Sequence, residues 1–436
     1  MTWKLRLAFG SPDLALSLLF ATVNGWLLFY LVTILDVPPL LAGAVFVFGR
    51  VLDGILDPIV GARTDHRARK PVIGLALPFA AAGFIGLWFM PTVFHTGVGA
   101  AMATGVAFAI FALAYTCVSV PRLALMPGVV AGYDARTGQA SVDMGFVFVG
   151  VLVASVAFPG AIAAAGGGTL AASEPRVWVA VASGLAGLAL LAYLPFLLVI
   201  AEPTRPASAT WRPGPWITLA ALSGTRGALP TILLFAGTVL TLVTLQSILP
   251  FWLERGPGLS ASGQSLVLLT VFVSTIGSLP VWSKLAVRLC KLRCLMVGIA
   301  VLLAGLAIAV VLPVGSQRTP GLFLASALAG AGAGALAMCP WAMIPDVVEA
   351  HARRLASPVE GTASAAFTMT NKLSAALALL LNAVALDVLG GQVGTSAAWP
   401  LLLLPGGLAV LTLLLAGFMR ASHLGVMRPS RARHKL

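Results

Sequence analysis

Apolar residues fall in long, nearly unbroken runs divided by short polar punctuation. Each run holds about 20 positions, the length a helix needs to cross the hydrocarbon of a bilayer. The pattern predicts spans over 13–35, 39–61, 71–91, 97–120, 141–165, 177–200, 228–253, 263–287, 295–314, 321–345, 362–388 and 399–419. The runs are aliphatic and show neither the ten-residue alternation nor the aromatic girdles of a membrane barrel. The expected fold is therefore an all-α integral membrane protein of twelve transmembrane helices. Lys4 and Arg6 precede the first run as in a signal peptide, but the run is too long and lacks a cleavage site, so it reads as the first span.

Composition narrows the function. Of 436 residues, 59% are hydrophobic and 9% charged, and mean hydropathy is +1.00. Soluble domains carry about a quarter charged residues, so a soluble enzyme with a single anchor is excluded. The net charge of +13 would suit nucleic acid, but its placement points elsewhere. With the N-terminus inside, 22 of the 27 basic residues, Arg122 among them, fall in cytoplasmic segments. Both termini are then expected in the cytoplasm of an inner (plasma) membrane protein, the basic excess facing anionic lipid rather than nucleic acid.

Other chemistry is sparse. Cys117, Cys290, Cys294 and Cys339 lie in spans or at the cytoplasmic edge, so structural disulfides are not expected. Histidines 66, 95, 351, 423 and 434 have no metal-site spacing. Gly330, Gly332 and Gly334 sit in an apolar run, where small residues let helices approach. With no nucleophile, base or metal cluster in view, an enzyme is not expected, and no cofactor.

Charges within the spans carry the functional signal, because an ionised group at the bilayer centre costs about 2.5 kcal/mol or more. Arg50, Asp53 and Asp57 are spaced i, i+3, i+7 on one face of span two. Two carboxylates on neighbouring turns repel and call for a cation between them, whether Na⁺, a proton or a basic side chain. Lys372, beside Asn371 in span eleven, brings the four charges to neutrality. A purely structural ion-pair network is the alternative; an oxygen-rich pair favours a hard cation.

The longest cytoplasmic connection, 202–226, is rich in proline and arginine and divides the chain into six-helix halves, 1–201 and 227–419, ahead of a basic tail, 420–436. The first inter-span loop runs Gly61-Ala-Arg63-Thr-Asp65-His-Arg67-Ala-Arg69-Lys70. It resembles the loop signature of the major facilitator superfamily, and a degenerate copy follows span eight from Pro280 to Lys291. That architecture places the solute between two halves near mid-membrane.

More specific stretches follow in order. They are Phe9-Gly-Ser-Pro-Asp13, Phe29-Tyr30, Gly49-Arg50-Val-Leu-Asp53-Gly-Ile-Leu-Asp57-Pro58, Tyr115-Thr116 to Met126-Pro127, Asp134-Ala-Arg136-Thr137, Pro345-Asp346-Val-Val-Glu349, Glu360-Gly361 and Asn371-Lys372. Together they resemble the glycoside–pentoside–hexuronide:cation symporter family, whose type member is the melibiose permease. The resemblance implies a cation site of Asp53, Asp57 and Thr116, taking Na⁺ or H⁺, with Lys372 and Arg50 compensating charge. It aligns Asp13 with a family acid that binds sugar hydroxyls.

The departures fall on the sugar side. Ser119 stands where the melibiose permease has an acid, Leu123 where it has a stacking tryptophan, and Asp143 or Met144 where it has an arginine. Candidate substrate residues are thus Asp13, Ser119, Leu123, Asp143 and Lys372. Asp13 as a helix-start acid and Asp143 as a cytoplasmic helix-end acid are the structural alternatives. Asp65, Asp346, Glu349 and Glu360 are candidate cytoplasmic gate acids, with solvated loops as the alternative. The expectation is a monomeric cation-coupled symporter of a small solute, a sugar or glycoside by family default. A Na⁺-coupled carrier of lysophospholipid or another amphipathic solute, and an H⁺-coupled exporter, are the alternatives.

Overall fold

The computed structural model describes residues 2–64, 69–94, 96–129, 133–167, 170, 172–201, 228–255, 259–311, 319–355, 360–389 and 399–421. Among them there is no strand, and twelve helices are long and apolar enough to cross a membrane. These are Trp3–Leu27, Pro39–Asp57, Arg69–Val93, Gly97–Arg122, Val142–Ala165 and Pro175–Val199, then Leu229–Glu254, Gly263–Ala286, Lys291–Val311, Pro320–Met343, Met369–Leu389 and Pro400–Ala421. The all-α class and the span number match the hydropathy pattern.

Two of the boundaries that depart from expectation bear on the site. Span one begins at Trp3 rather than at 13, and Pro12 lies inside its helix. A helix-interior proline has no N–H for the carbonyl four residues back. Here that carbonyl belongs to Ala8, and the Ser11 hydroxyl donates to it at 3.2 Å, so the turn survives. Asp13 is therefore a mid-helix residue and not a helix start. Span four does not stop at 120 either: its helix runs Gly97–Val129 through Pro121. Arg122, expected in a cytoplasmic loop, is instead buried, with 3% of its surface exposed.

The helices cluster into two compact units. The first comprises Met1–Thr210 with Leu259–Ser265 and Leu379–Gln392. In it span three packs on spans four and six, span one on five and six, and span two on four. Its aromatic core joins Tyr30, Trp88, Phe158 and Trp178, with Trp88 and Trp178 stacked at 5.8 Å and the Tyr30 hydroxyl donating to the Trp88 carbonyl at 2.7 Å. Span one carries π-helical turns at Val23–Leu27 and Tyr30–Ile34, and span five one at Val153–Ala157. Such turns shift the helix face and leave carbonyls open to side chains. Trp26, in the first of these turns, donates its indole N–H to the carbonyl of Ala154 in the turn of span five, at 3.0 Å. Lys70 caps the end of span six by donating to the carbonyls of Leu197 and Ile200.

The second unit comprises Trp211–Gly258, Leu266–Ala378 and Val393–Leu436. In it span nine packs on spans ten and twelve, and span seven on the same two. The glycines of span ten lie at helix contacts, as their apolar setting implies. A Cβ on Gly332 would sit 2.6 Å from both the Gly298 carbonyl oxygen and the Leu302 Cα. Small residues thus set how closely spans nine and ten approach. The connection at 202–226, read as a linker, lies outside the described residues, as does the tail beyond 421.

Candidate functional site

Two polar clusters lie in the first unit, and one face of span one lines both. The first is built on helix Pro39–Thr64. Arg50 and Asp53 are buried there, 2% and 4% exposed, and Asp57 is half-buried. Arg50 reaches Asp53 Oδ2 at 3.4 Å and donates to Asn24 Oδ1. Its guanidinium carbon lies 4.4 Å from the centre of the Phe20 ring. Asn24 belongs to the π-turn of span one, so that irregular turn presents the amide acceptor that orients Arg50.

Span four closes this cluster. Thr116, fully buried, places its hydroxyl 3.3 Å from Asp53 Oδ1 and 3.2 Å from Asp57 Oδ1. A hydroxyl has one proton to give, so it serves the two carboxylates by turns and offers lone pairs at their meeting point. Two carboxylate oxygens and a hydroxyl oxygen converge, a donor set suited to a hard monovalent cation or a proton. Among the described residues no group of three or more His, Cys, Asp or Glu is placed to hold a metal.

Tyr115 links this cluster to the second. Its hydroxyl approaches the Leu16 carbonyl at 3.5 Å, and its ring lies 6.1 Å from that of Phe20. Further along span one, Asp13 accepts two bonds from Arg122, each 2.5 Å, and Arg122 Nη2 also donates to the Phe9 carbonyl at 3.1 Å. Arg122 stands 3.6 Å from Asp143 Oδ2, on span five. Gln139 donates to Asp143 Oδ1 at 2.7 Å and to the Arg6 carbonyl at 3.0 Å. Asp143 is 8% exposed, whereas Met144 beside it is 52% exposed. The acid, not the methionine, therefore faces the interior, and it is no solvated helix end.

Arg122 is the functional candidate that sequence reasoning missed. The predicted span ended at 120, which put the arginine in a cytoplasmic segment. The signal that could have found it was the apolar run continuing past it through Leu125, a residue 1% exposed. Asp13 is thus paired with an arginine of span four. Of the other candidates, Ser119 is half-buried on span four, one turn beyond Tyr115. Lys372 lies on span eleven, in the second unit. Asp65 lies outside the described residues, as do the side chains of Leu123, Asp346, Glu349 and Glu360.

Known proteins share this arrangement of helices. The solved nucleoside transporter NupG matches with a TM-score of 0.67 at 16% identity, covering 96% of this chain and 99% of its own. The D-xylose-proton symporter matches at 0.68 and 14%, covering 95% and 97%. At such identities the likeness is one of fold, the major facilitator fold. In sequence, an uncharacterized symporter of Synechocystis, sll1374, is 29% identical over 170 residues, 35% of this chain and 30% of that protein. A putative sulfoquinovose importer of Escherichia coli is 25% identical over 159 residues, 35% of this chain and 34% of that one. The sodium-dependent lysophosphatidylcholine symporter 1 of Xenopus tropicalis is 32% identical over 102 residues, 22% of this chain and 19% of that protein. The chain thus spans about a third or less of the length of these relatives. The sequence pattern of the family described as MFS/sugar transport protein, by contrast, matches residues 8–427, nearly end to end. The chain belongs to that family and is a multi-pass membrane transport protein, not an enzyme.

Proposed function

We propose that this protein is a cation-coupled symporter of a small solute, with the coupling ion held by Asp53, Asp57 and Thr116. The observation that carries the reading is the Thr116 hydroxyl set between the two carboxylates, at 3.3 and 3.2 Å. Na⁺ is the ion the oxygen donors favour, and H⁺ the alternative; no other cofactor is required. Arg50 holds Asp53 in place, and Lys372 compensates charge when the ion leaves. The halves 1–201 and 227–419 alternate access around the solute, and Asp65, Asp346, Glu349 and Glu360 latch the cytoplasmic side. The protein works as a monomer in the inner membrane with both termini in the cytoplasm.

A sugar or glycoside is the solute class that the family description supports. Asp13, Ser119, Leu123, Asp143 and Lys372 are the residues proposed to meet it. A second reading has a specific basis: Leu123 replaces a sugar-stacking aromatic, and one relative is named a lysophosphatidylcholine symporter. An amphipathic solute would suit that apolar substitution.

The ion site can be tested before the solute is identified. Na⁺ is titrated into purified protein while the thermal unfolding midpoint is followed, for wild type and for Asp53→Asn/Asp57→Asn. The expected result is a saturable rise in wild type, as any ligand specific to the folded state produces, and none in the double variant. No rise in wild type would remove Na⁺ coupling and bring forward H⁺ coupling, including export.

A further inference from the structure

The Arg122 cluster carries a charge imbalance that the ion site does not address. Asp13 and Asp143 both contact Arg122, so two carboxylates share one guanidinium. The sharing is unequal. Asp13 takes two bonds at 2.5 Å, while Asp143 is left at 3.6 Å with the neutral Gln139 amide as its hydrogen-bond donor. The surroundings are largely buried. Asp143 and Gln139 are 8% and 0% exposed, and span one approaches so closely that a Cβ on Gly10 would sit 3.0 Å from Asp143 Oδ1. A surplus charge in such a place costs several kcal/mol unless it is compensated.

Among the described residues, no other side chain paired with the cluster supplies that charge. Tyr115 on span four and Tyr193 on span six are phenols, which bring no positive charge. From span one come Asp13 itself and the carbonyls of Arg6 and Phe9. Of the buried polar atoms that lack a hydrogen-bond partner among the described residues, three belong to this region: Arg122 Nε, Gln139 Oε1 and the Tyr193 hydroxyl. The unused acceptor belongs to the same amide that holds Asp143, and an O–H donor would satisfy it.

We infer that the Asp13–Arg122–Asp143 cluster is a proton-binding site, separate from the Asp53–Asp57–Thr116 site, with the proton carried on Asp143. Binding adds H⁺ to the Asp143 carboxylate; one O–H bond forms, none breaks, and the cluster becomes neutral. Arg122 then serves Asp13 alone. Losing the proton restores full charge to Asp143 and sets two carboxylates competing for one guanidinium. Protonation therefore decides how tightly span four is tied to span one. The two sites share no residue, so either can fail without the other.

Infrared difference spectroscopy on the full chain in lipid nanodiscs, in Na⁺-free buffer stepped in pH, tests the site. Wild type is expected to show a protonated-carboxyl C=O band that disappears as pH rises. Asp143→Asn removes the band by removing the carboxyl. Asp13→Asn removes it too, because Asp143 then has Arg122 to itself. Arg122→Gln enlarges it, since no guanidinium offsets either acid, and Asp53→Asn/Asp57→Asn retains it. A merely structural salt bridge would not produce this pattern of signs. Absence of the band from wild type, or its persistence in either Asp143→Asn or Asp13→Asn, overturns the assignment. Should Arg122→Gln fail to fold, the two isosteric acid-to-amide variants decide the matter. Na⁺-dependent stabilisation of the same samples reports separately on Asp53 and Asp57.

Discussion

Thr116 shows how much can rest on one hydroxyl. It is fully buried and touches the carboxylates of two turns of span two, so it spaces them and, in the proposed site, is the third oxygen for the ion. Thr116→Val keeps the shape and removes the oxygen. A hydrogen bond to a charged group contributes about 1.5–3 kcal/mol, so Na⁺ binding is expected to weaken roughly tenfold to a hundredfold while the protein stays folded. Thr116→Ser should bind nearly as wild type does. The Na⁺ titration of the unfolding midpoint measures both, and equal affinity in Thr116→Val would remove Thr116 from the site. The two clusters were not equally legible in the sequence. Arg50, Asp53 and Asp57 share one helix, so their i, i+3, i+7 spacing places them on one face without a structure. Asp13 and Arg122 stand 109 residues apart, and no local period connects them. Each acid of the second cluster could be singled out as a charge in a span, but the arginine that joins them could not.

At the scale of elements, both misplaced boundaries at the site fall beside a proline. Pro12 and Pro121 each lie within a continuing helix, because proline removes one hydrogen bond and neighbouring groups can replace it. In span one the replacement is identified: Ser11 supplies the donor that Pro12 lacks. A double-mutant cycle follows from this. Ser11→Ala alone leaves the Ala8 carbonyl unpaired in a buried turn and is expected to cost about 1–3 kcal/mol. In a Pro12→Ala background the restored N–H serves that carbonyl, and Ser11→Ala should cost only a few tenths. Chemical unfolding of the four proteins gives the coupling, and additive effects would show that Ser11 does not stand in for the missing N–H. The π-turns were invisible for a different reason. Hydropathy reports which residues are apolar, not whether a helix takes an extra residue per turn, yet such a turn brings Asn24 to Arg50. The glycines of span ten, in contrast, were readable as packing surface. Gly332→Leu would drive a side chain into the Gly298 carbonyl and Leu302 backbone. Spans nine and ten would have to separate, so folded yield from membranes should fall steeply, whereas Gly406→Leu, with open space at its Cβ, should leave yield unchanged.

At the scale of the molecule, the span number and family were readable because lipid imposes one length on every element. The solute was not, since fold and family leave it to a few side chains. Symport nonetheless imposes a condition that holds whatever the solute is. If the ion raises solute affinity by some factor, the solute must raise ion affinity by the same factor. Coupling of this kind is typically about 1–3 kcal/mol, or roughly 5–150-fold. A true substrate, drawn from sugars, glycosides or lysophospholipids, should therefore shift the Na⁺ titration of wild type to lower concentration by about that factor. It should stabilise Asp53→Asn/Asp57→Asn without any dependence on Na⁺. A compound that stabilises wild type equally with and without Na⁺ is a ligand but not a coupled substrate, because equal affinity for two states shifts neither. If every binder behaves so while Na⁺ alone still protects wild type, the ion at Asp53, Asp57 and Thr116 is structural. The role of coupling ion would then pass to the proton at Asp143, and the same titrations run against pH in place of Na⁺ would show the linkage.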